Sequence, residues 1–373
     1  MGNIGRFHAG YLLKGQVPRA ELTAVCNSDS AALESYKPLA IFDDGQDLIR
    51  SGTVDAVIIS TPHTMHASLG IAALENGIHV MVEKPIASHK IDAERLVEAH
   101  AKCRGTVFAG MFQQRTEPRY RKIRQFIQED LGELVRMTWI NTDWFRTEAY
   151  YNSSEWRATW SGEGGGILIN QCLHNLDMLQ WLCGMPTRLR GFCQFGRFHD
   201  IEVEDNVTAY MEWPCGATGT FIGSSGEAPG SNRLEIAGKK GSLVLEGDRI
   251  LLSRLKEETT EFSRKATQGF VKPDSILEEI SADAAPHPHA LVTNNFIDAI
   301  LDGVPLIAPG SEGVHSVELA NAITYSSLLS GTLELPMDGH LWEKKLEELT
   351  AQSSRVKKVT KVPTDDFTSS FRK

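Results

Sequence analysis

An α/β chain is predicted: a doubly wound parallel sheet of the Rossmann kind in the N-terminal part, its first strand apparently missing. An α+β part with a large, mainly antiparallel open sheet follows. Three observations lead there. Short apolar runs rich in β-branched residues alternate with helical patterns to about residue 110, as strands joined by crossover helices do. Beyond residue 134 the pattern changes to period-two alternation broken by turn signals such as Gly238-Lys239-Lys240-Gly241. With 373 residues, the chain is long enough for two cores.

The chain opens on a glycine turn, Gly2-Asn3-Ile4-Gly5, and a helical pattern runs on through Leu13. Residues 21–27 (ELTAVCN) read as a buried strand, 31–33 as part of a polar helix, 41–42 as a short strand and 48–51 as a helix end. Residues 54–61 (VDAVIIST) form a near-continuous apolar run, the pattern of a strand covered on both faces. A helix over 66–76 stops at Gly77, a strand over 79–82 runs into Glu83-Lys84-Pro85, and a helix over 91–102 leads to a strand over 106–110. A polar helix is predicted over 119–129. Strands follow over 134–145, 189–198, 206–213, 217–224, 232–237 and 242–246, and helices over 290–301 and 313–329.

Ligands of doubly wound sheets bind beyond the carboxyl ends of the strands. Those ends carry Gly2 to Gly5, Asn27 to Asp29, Ser60-Thr61-Pro62, Glu83 to Pro85 and Gln113 to Arg115. The glycine turn supplies only the last two glycines, Gly2 and Gly5, of the dinucleotide fingerprint G-x-G-x-x-G. Its first glycine and the preceding central strand would lie upstream, so Met1 is expected to be an internal methionine or the sequence a cut piece. The competing expectation is a chain that folds without this strand. Asn27 stands where an acidic residue usually meets the ribose, with Asp29 two residues on and no close Arg or Lys for a 2′-phosphate. NAD is therefore expected, with NADP left open; the plainer reading of Asn27-Ser28-Asp29 is a turn.

Residues 163–181 (EGGGILINQCLHNLDMLQW) are read as a buried helix in which Asn170, His174 and Asp177 share one face. A polar stripe on a buried helix must be hydrogen-bonded or face a cavity. Just upstream, Trp144, Arg146, Tyr150, Tyr151, Trp156, Arg157 and Trp160 make a segment suited to pyranose rings and hydroxyls. His287 and His289, with no carboxylate cluster, are read as a loop or helix start, and no metal is expected.

Composition narrows the functional classes. A formal charge of −10 and no long basic run outside the tail argue against nucleic acid as a partner. No apolar stretch approaches the ~20 residues needed to cross a membrane. The 6 cysteines form no CxxC pair and suggest reduced thiols in the cytoplasm. The N-terminal MGNIGRFHAG does not read as a signal peptide.

GNIGRFHAG at 2–10, STPHTMHASLGIAALENGIHVMVEKP at 60–85 and GGGILINQCLHNLDMLQWLCG at 164–184 together resemble the Gfo/Idh/MocA oxidoreductases, the glucose–fructose oxidoreductase and inositol dehydrogenase family. The resemblance runs to about residue 340. It implies a nicotinamide-dependent oxidation or reduction of a sugar or polyol hydroxyl. Lys84 and His174 would be the catalytic pair beside the nicotinamide. Gly2, Asn3, Ile4, Gly5, Asn27, Ser60, Thr61, Pro62, His66, Glu83, Lys84 and Gln113 would meet the cofactor. Asn170, Tyr151 and Arg157 would orient substrate, with Asp177 supporting His174. The family often has aspartate where Asn170 stands, and asparagine cannot accept a proton at neutral pH. The expected organisation is a dinucleotide-binding part over 1–115, a substrate and oligomerisation part over 116–340, and a charged helix with a mobile tail over 341–373. A homodimer or homotetramer through the open sheet is implied. The rival functions are an NAD-dependent glycosidase working by transient oxidation and elimination, a non-catalytic sugar or dinucleotide sensor, and an inactive fragment.

Overall fold

The computed structural model describes residues 1–282, 284–355, 357, 359 and 360; residues 361–373 of the expected tail lie outside them. Helix α1 (Asn3–Leu13) is followed by β1 (Ala24–Cys26), β2 (Ala40–Phe42), α2 (Gly45–Arg50), β3 (Ala56–Ile59), α3 (His66–Glu75), β4 (His79–Val82), α4 (Lys90–Lys102) and β5 (Phe108–Gly110). Every strand pair in this part is parallel, as alternating strands and helices require. The polar helix expected near residue 31 is a 3-10 turn, Ser30–Tyr36.

The parallel strands form two pieces, β1-β2 and β3-β4-β5, and no ladder joins β1 to β3 among the described residues. The predicted cover on both faces of β3 is therefore incomplete. Ala56, Val57 and Ile58 are only half-buried, while Val80, Met81 and Val82 of β4, paired on both sides, are sealed. The start of α1 lies at this gap: the Met1 amino group is 3.5 Å from the Cys26 carbonyl.

Helix α5 (Pro118–Glu129) leads into β6 (Leu134–Asn141), the one-turn α6 (Glu148–Tyr151), α7 (Leu173–Cys183), β7 (Arg188–Phe195), β8 (Glu204–Glu212), β9 (Thr218–Ser224), β10 (Asn232–Gly238), β11 (Gly241–Glu246), β12 (Arg249–Leu255), α8 (Thr259–Lys265) and β13 (Ser275–Ser281). The chain continues through α9 (Pro288–Asp302), α10 (Gly313–Leu329), β14 (Leu333–Glu334) and α11 (Gly339–Gln352). Nine strands make one sheet in the order β13-β12-β11-β10-β6-β9-β8-β7-β14. Every neighbouring pair is antiparallel except β6 with β9. Helix α10 packs on β7 and α7 on one face, and on α4 of the parallel part. Lys90 at the start of α4 donates to Glu318 of α10 at 2.9 Å, with both side chains buried, tying the parallel and antiparallel parts together.

Candidate active site

At the carboxyl end of β4 the chain turns at Glu83-Lys84. Glu83 is buried and accepts from His8 Nε2 of α1 at 2.7 Å and from the Lys84 amide at 3.1 Å. Burial opposes its ionisation, but the hydrogen bond and charge of His8 hold its carboxyl below the usual range. With Glu83 turned to His8, the Lys84 side chain points elsewhere. Its Nζ donates to the Asn170 carbonyl at 3.0 Å and lies 3.5 Å from Asn170 Oδ1. Burial lowers the basicity of Lys84; Glu83 and Glu163 oppose that, and Arg157 and Arg146 add to it.

Asn170 reaches Lys84 from a turn. Helix α7 starts only at Leu173, so the single helical face predicted for Asn170, His174 and Asp177 does not form. The segment before α7 is folded tightly against β8. Gly164 has φ +80°, and a Cβ on Gly166 would stand 2.0 Å from the Glu204 carbonyl oxygen, so only glycine fits. Glu204 Oε1 accepts from the amides of Gly166 and Leu168 at 2.9 and 3.1 Å. Asn170 Nδ2 donates to Glu163, a buried carboxyl that also accepts from the Ala158 amide at 2.6 Å. Burial pushes Glu163 upward, against the pull of Arg157.

His174 lies in the first turn of α7, its Nε2 3.3 Å from Gln113 Nε2 at the end of β5. His174 Nδ1 and Gln113 Oε1 are buried without a partner. Burial and then the Lys84 charge hold His174 well below its ordinary pKa, so the ring is neutral near pH 7. With the Gln113 amide donating to Nε2, the ring proton sits on Nδ1, leaving an unused donor.

Asp177 does not touch His174. It takes both arms of Arg115 (2.9 and 2.6 Å) and Gln180 at 3.1 Å; Arg115 also pairs with Glu312. Arg115 is fully buried, so this ion pair is structural. Tyr151 likewise points away, donating to Ser225 Oγ at 2.7 Å. Its neighbour Tyr150 faces the cleft: its hydroxyl accepts from Arg157 Nη1 at 2.6 Å and from Gln171 Nε2 at 3.0 Å, and lies 3.5 Å from Asn170 Nδ2. The Arg157 guanidinium stacks 4.3 Å over Tyr150 and 4.7 Å over Trp156. His63, not singled out in the sequence, packs edge-on against Trp156 at 5.5 Å and leaves its Nδ1 unpartnered. The Lys84 and Arg157 charges reach His63, after burial, in depressing its basicity. Glu163 and Gln171 also escaped the sequence reading; the signal for Glu163 was its place directly before three glycines.

The expected cofactor residues divide. Gly2, Asn3, Ile4 and Gly5 form the start of α1, whose first N–H groups have no intrahelical partner. A Cβ on Gly2 would meet nothing within 4 Å, so the cradle above the turn is open. On Gly5 it would come 3.0 Å from Ser60 Oγ, which brings Ser60 and the following Thr61 and Pro62 beside the turn. Asn27 Oδ1 is spent on the Asp29 amide at 2.9 Å, the turn reading. His66 cannot reach a ligand through its ring nitrogens, because they face the carbonyls of Pro85 at 2.7 Å and Thr61 at 2.8 Å. It clamps two strand-end loops instead. An open glycine turn, free helix-start donors and the orphaned, buried Gln113 Oε1 beyond β5 fit a dinucleotide. His287 stands at the start of α9 with no side-chain cap hydrogen bond, and among the described residues no group of His, Cys, Asp or Glu could hold a metal. Among them, too, no helix is long and apolar enough to cross a membrane.

Comparison with known proteins gives the same outline. A family model described as "Oxidoreductase family, NAD-binding Rossmann fold" matches residues 1–111, and one described as "GFO/IDH/MocA C-terminal domain" matches residues 120–244. The inositol 2-dehydrogenase of Rubrobacter xylanophilus is 29% identical over 48% of this chain, which spans about half (49%) of that relative. The myo-inositol 2-dehydrogenase of Thermotoga maritima is 23% identical over 86% of this chain and 92% of its own length. The WlbA dehydrogenase of Bordetella pertussis, solved with NADH and UDP-GlcNAcA, is 26% identical and superposes with a TM-score of 0.75, covering 90% of this chain and 97% of that one.

Proposed function

The chain belongs to the GFO/IDH/MocA oxidoreductase family, and on that premise we propose that it is an NAD-dependent dehydrogenase acting on a CH–OH group of a sugar or polyol. The observation that carries this reading is one cleft holding the Lys84 amine, the neutral His174 ring and unspent polar atoms on His174, Gln113 and His63. The inositol dehydrogenases and the UDP-GlcNAcA-bound WlbA enzyme support the substrate class, since their named compounds share secondary hydroxyls on a six-membered ring.

The nicotinamide, when bound, supplies acceptance of a hydride from the carbinol carbon. Lys84, less basic than a free lysine, takes the hydroxyl proton onto Nζ as the carbon–oxygen bond becomes a carbonyl. His174 Nδ1–H donates to the same oxygen and stabilises its developing charge. The Asn170 carbonyl holds the Lys84 amine in position, and Tyr150 and Arg157 bind neighbouring hydroxyls. Gly2 to Gly5, Ser60 to Pro62, Glu83 and Gln113 hold the dinucleotide. The same reading assigns 1–115 to the cofactor and 116–340 to substrate and assembly. The exposed Phe192 and Tyr210 of the large sheet support a homo-oligomer through that face.

Incubation of the purified chain with NAD and a panel of sugars and polyols tests the proposal. NADH absorbance is expected to rise with at least one of them; a folded, NADH-binding chain that oxidises none would refute it.

A further inference from the structure

We propose that the substrate carries an anionic group, a carboxylate or a phosphate on the sugar or polyol, and that Arg157 selects it. The inference deepens the dehydrogenase reading and rests on it. Three cations line the substrate side of the cleft: Lys84, Arg146 and Arg157. Lys84 donates to the neutral carbonyl of Asn170. Arg146 donates to the Phe145 carbonyl at 2.9 Å and stacks over Trp144 and Tyr150. Arg157 gives Nη1 to the Tyr150 hydroxyl, and its buried Nε has no partner. Among the described residues no ion pair to a carboxylate forms at any of the three.

Arg115, whose guanidinium is fully buried, shows what a self-contained site looks like. Arg115 is neutralised by two carboxylates, Asp177 and Glu312. The two buried carboxyls nearest Lys84 are both engaged: Glu83 by His8 and the Lys84 amide, and Glu163 by the Asn170 amide and the Ala158 N–H. Lys357 adds further positive charge at the edge, donating to the Arg157 carbonyl. The oxidised nicotinamide ring is itself cationic. A neutral polyol closing this cleft would strip water from Arg157 and leave its charge uncompensated, which is costly. An anionic substituent instead receives a forked, charge-assisted pair from Arg157. It also has His63, 7% exposed and with Nδ1 unpartnered, as a neutral neighbour.

The test is calorimetric titration of the full chain saturated with NADH. The anionic probes are D-glucuronate and D-glucose 6-phosphate; D-glucose and myo-inositol are the neutral counterparts. At least one anionic probe should bind about tenfold or more tighter than D-glucose, with the advantage shrinking as salt rises. Arg157→Gln should remove the preference while NADH affinity persists. Arg157→Lys, which keeps the charge but loses the fork, should retain part of it, and it serves as the probe if the glutamine variant does not fold. The better anion identifies the source, carboxylate or phosphate. Neutral probes binding as well as both anions, neither anion binding, or full anion preference in the variants would overturn the inference. A folded chain that does not bind NADH would instead overturn the dehydrogenase reading beneath it.

Discussion

Lys84 Nζ is held by the main-chain carbonyl of Asn170 at 3.0 Å, across the gap between the end of β4 and the turn before α7. A backbone acceptor cannot ionise, so it fixes the amine without pinning it in the charged form. Burial then lowers its basicity against the charges of Glu83 and Glu163, whose carboxylates do not hydrogen-bond Nζ among the described residues.

Exchange of Lys84 for methionine should reduce turnover by about 10²–10⁴-fold and leave NADH affinity nearly unchanged. The pH profile gives the sign. Oxidation needs the neutral amine, and lowered basicity populates it at lower pH than in free lysine. The oxidation rate should therefore rise with pH as Lys84 loses its proton, with a midpoint below 10.5. His174 is already neutral there, so His174→Gln should be slower yet keep the same rising limb. A limb that vanishes with His174 would transfer the base role to it.

Tyr150 and Tyr151 should separate cleanly. Tyr150→Phe removes a hydroxyl shared by Arg157 and Gln171 and is expected to raise KM. Tyr151→Phe loses one buried bond to Ser225 and should cost about 0.5–1.5 kcal/mol of stability with little change in KM. Steady-state kinetics beside denaturant melts would distinguish the two.

Asp177→Asn leaves Arg115 with Glu312 alone. Breaking a buried pair costs roughly 3–5 kcal/mol, so a clear drop in Tm is expected. The folded fraction should retain its pH profile, because Asp177 does not touch His174. An altered profile would restore the supporting role first read from the sequence.

Gly166→Ala drives a Cβ to 2.0 Å from the Glu204 carbonyl oxygen. It should destabilise by at least about 1–3 kcal/mol, and any folded protein should be slow because Asn170 and His174 follow that turn. Gly2→Ala meets open space and should leave Tm unchanged while weakening NADH binding. Melting curves and NADH titrations of both variants check this.

Much of this was legible in the sequence. The strand over 79–82 was legible as a short apolar run, and the polar Glu83-Lys84 at its end drew attention to the place where the candidate cleft lies. The turn at Asn170 was not legible, because Ile167 to Ile169 are as buried as the helix after them, and an unbroken apolar run carries no period. The partner of Asp177 was hidden by distance, since Arg115 stands 62 residues earlier. Tyr150 and Tyr151 are adjacent on a single helical turn, so only the fold decides which one faces inward. Strand β13 gave no alternation because nearly all of it is exposed.

The most direct test of the central claim is titration of the purified chain with NADH, followed by nicotinamide fluorescence, in the wild type and in Lys84→Met. Saturable binding by both, with turnover confined to the wild type, is the predicted result. A folded wild-type chain that shows no saturable binding would contradict the nicotinamide site at the ends of β3, β4 and β5.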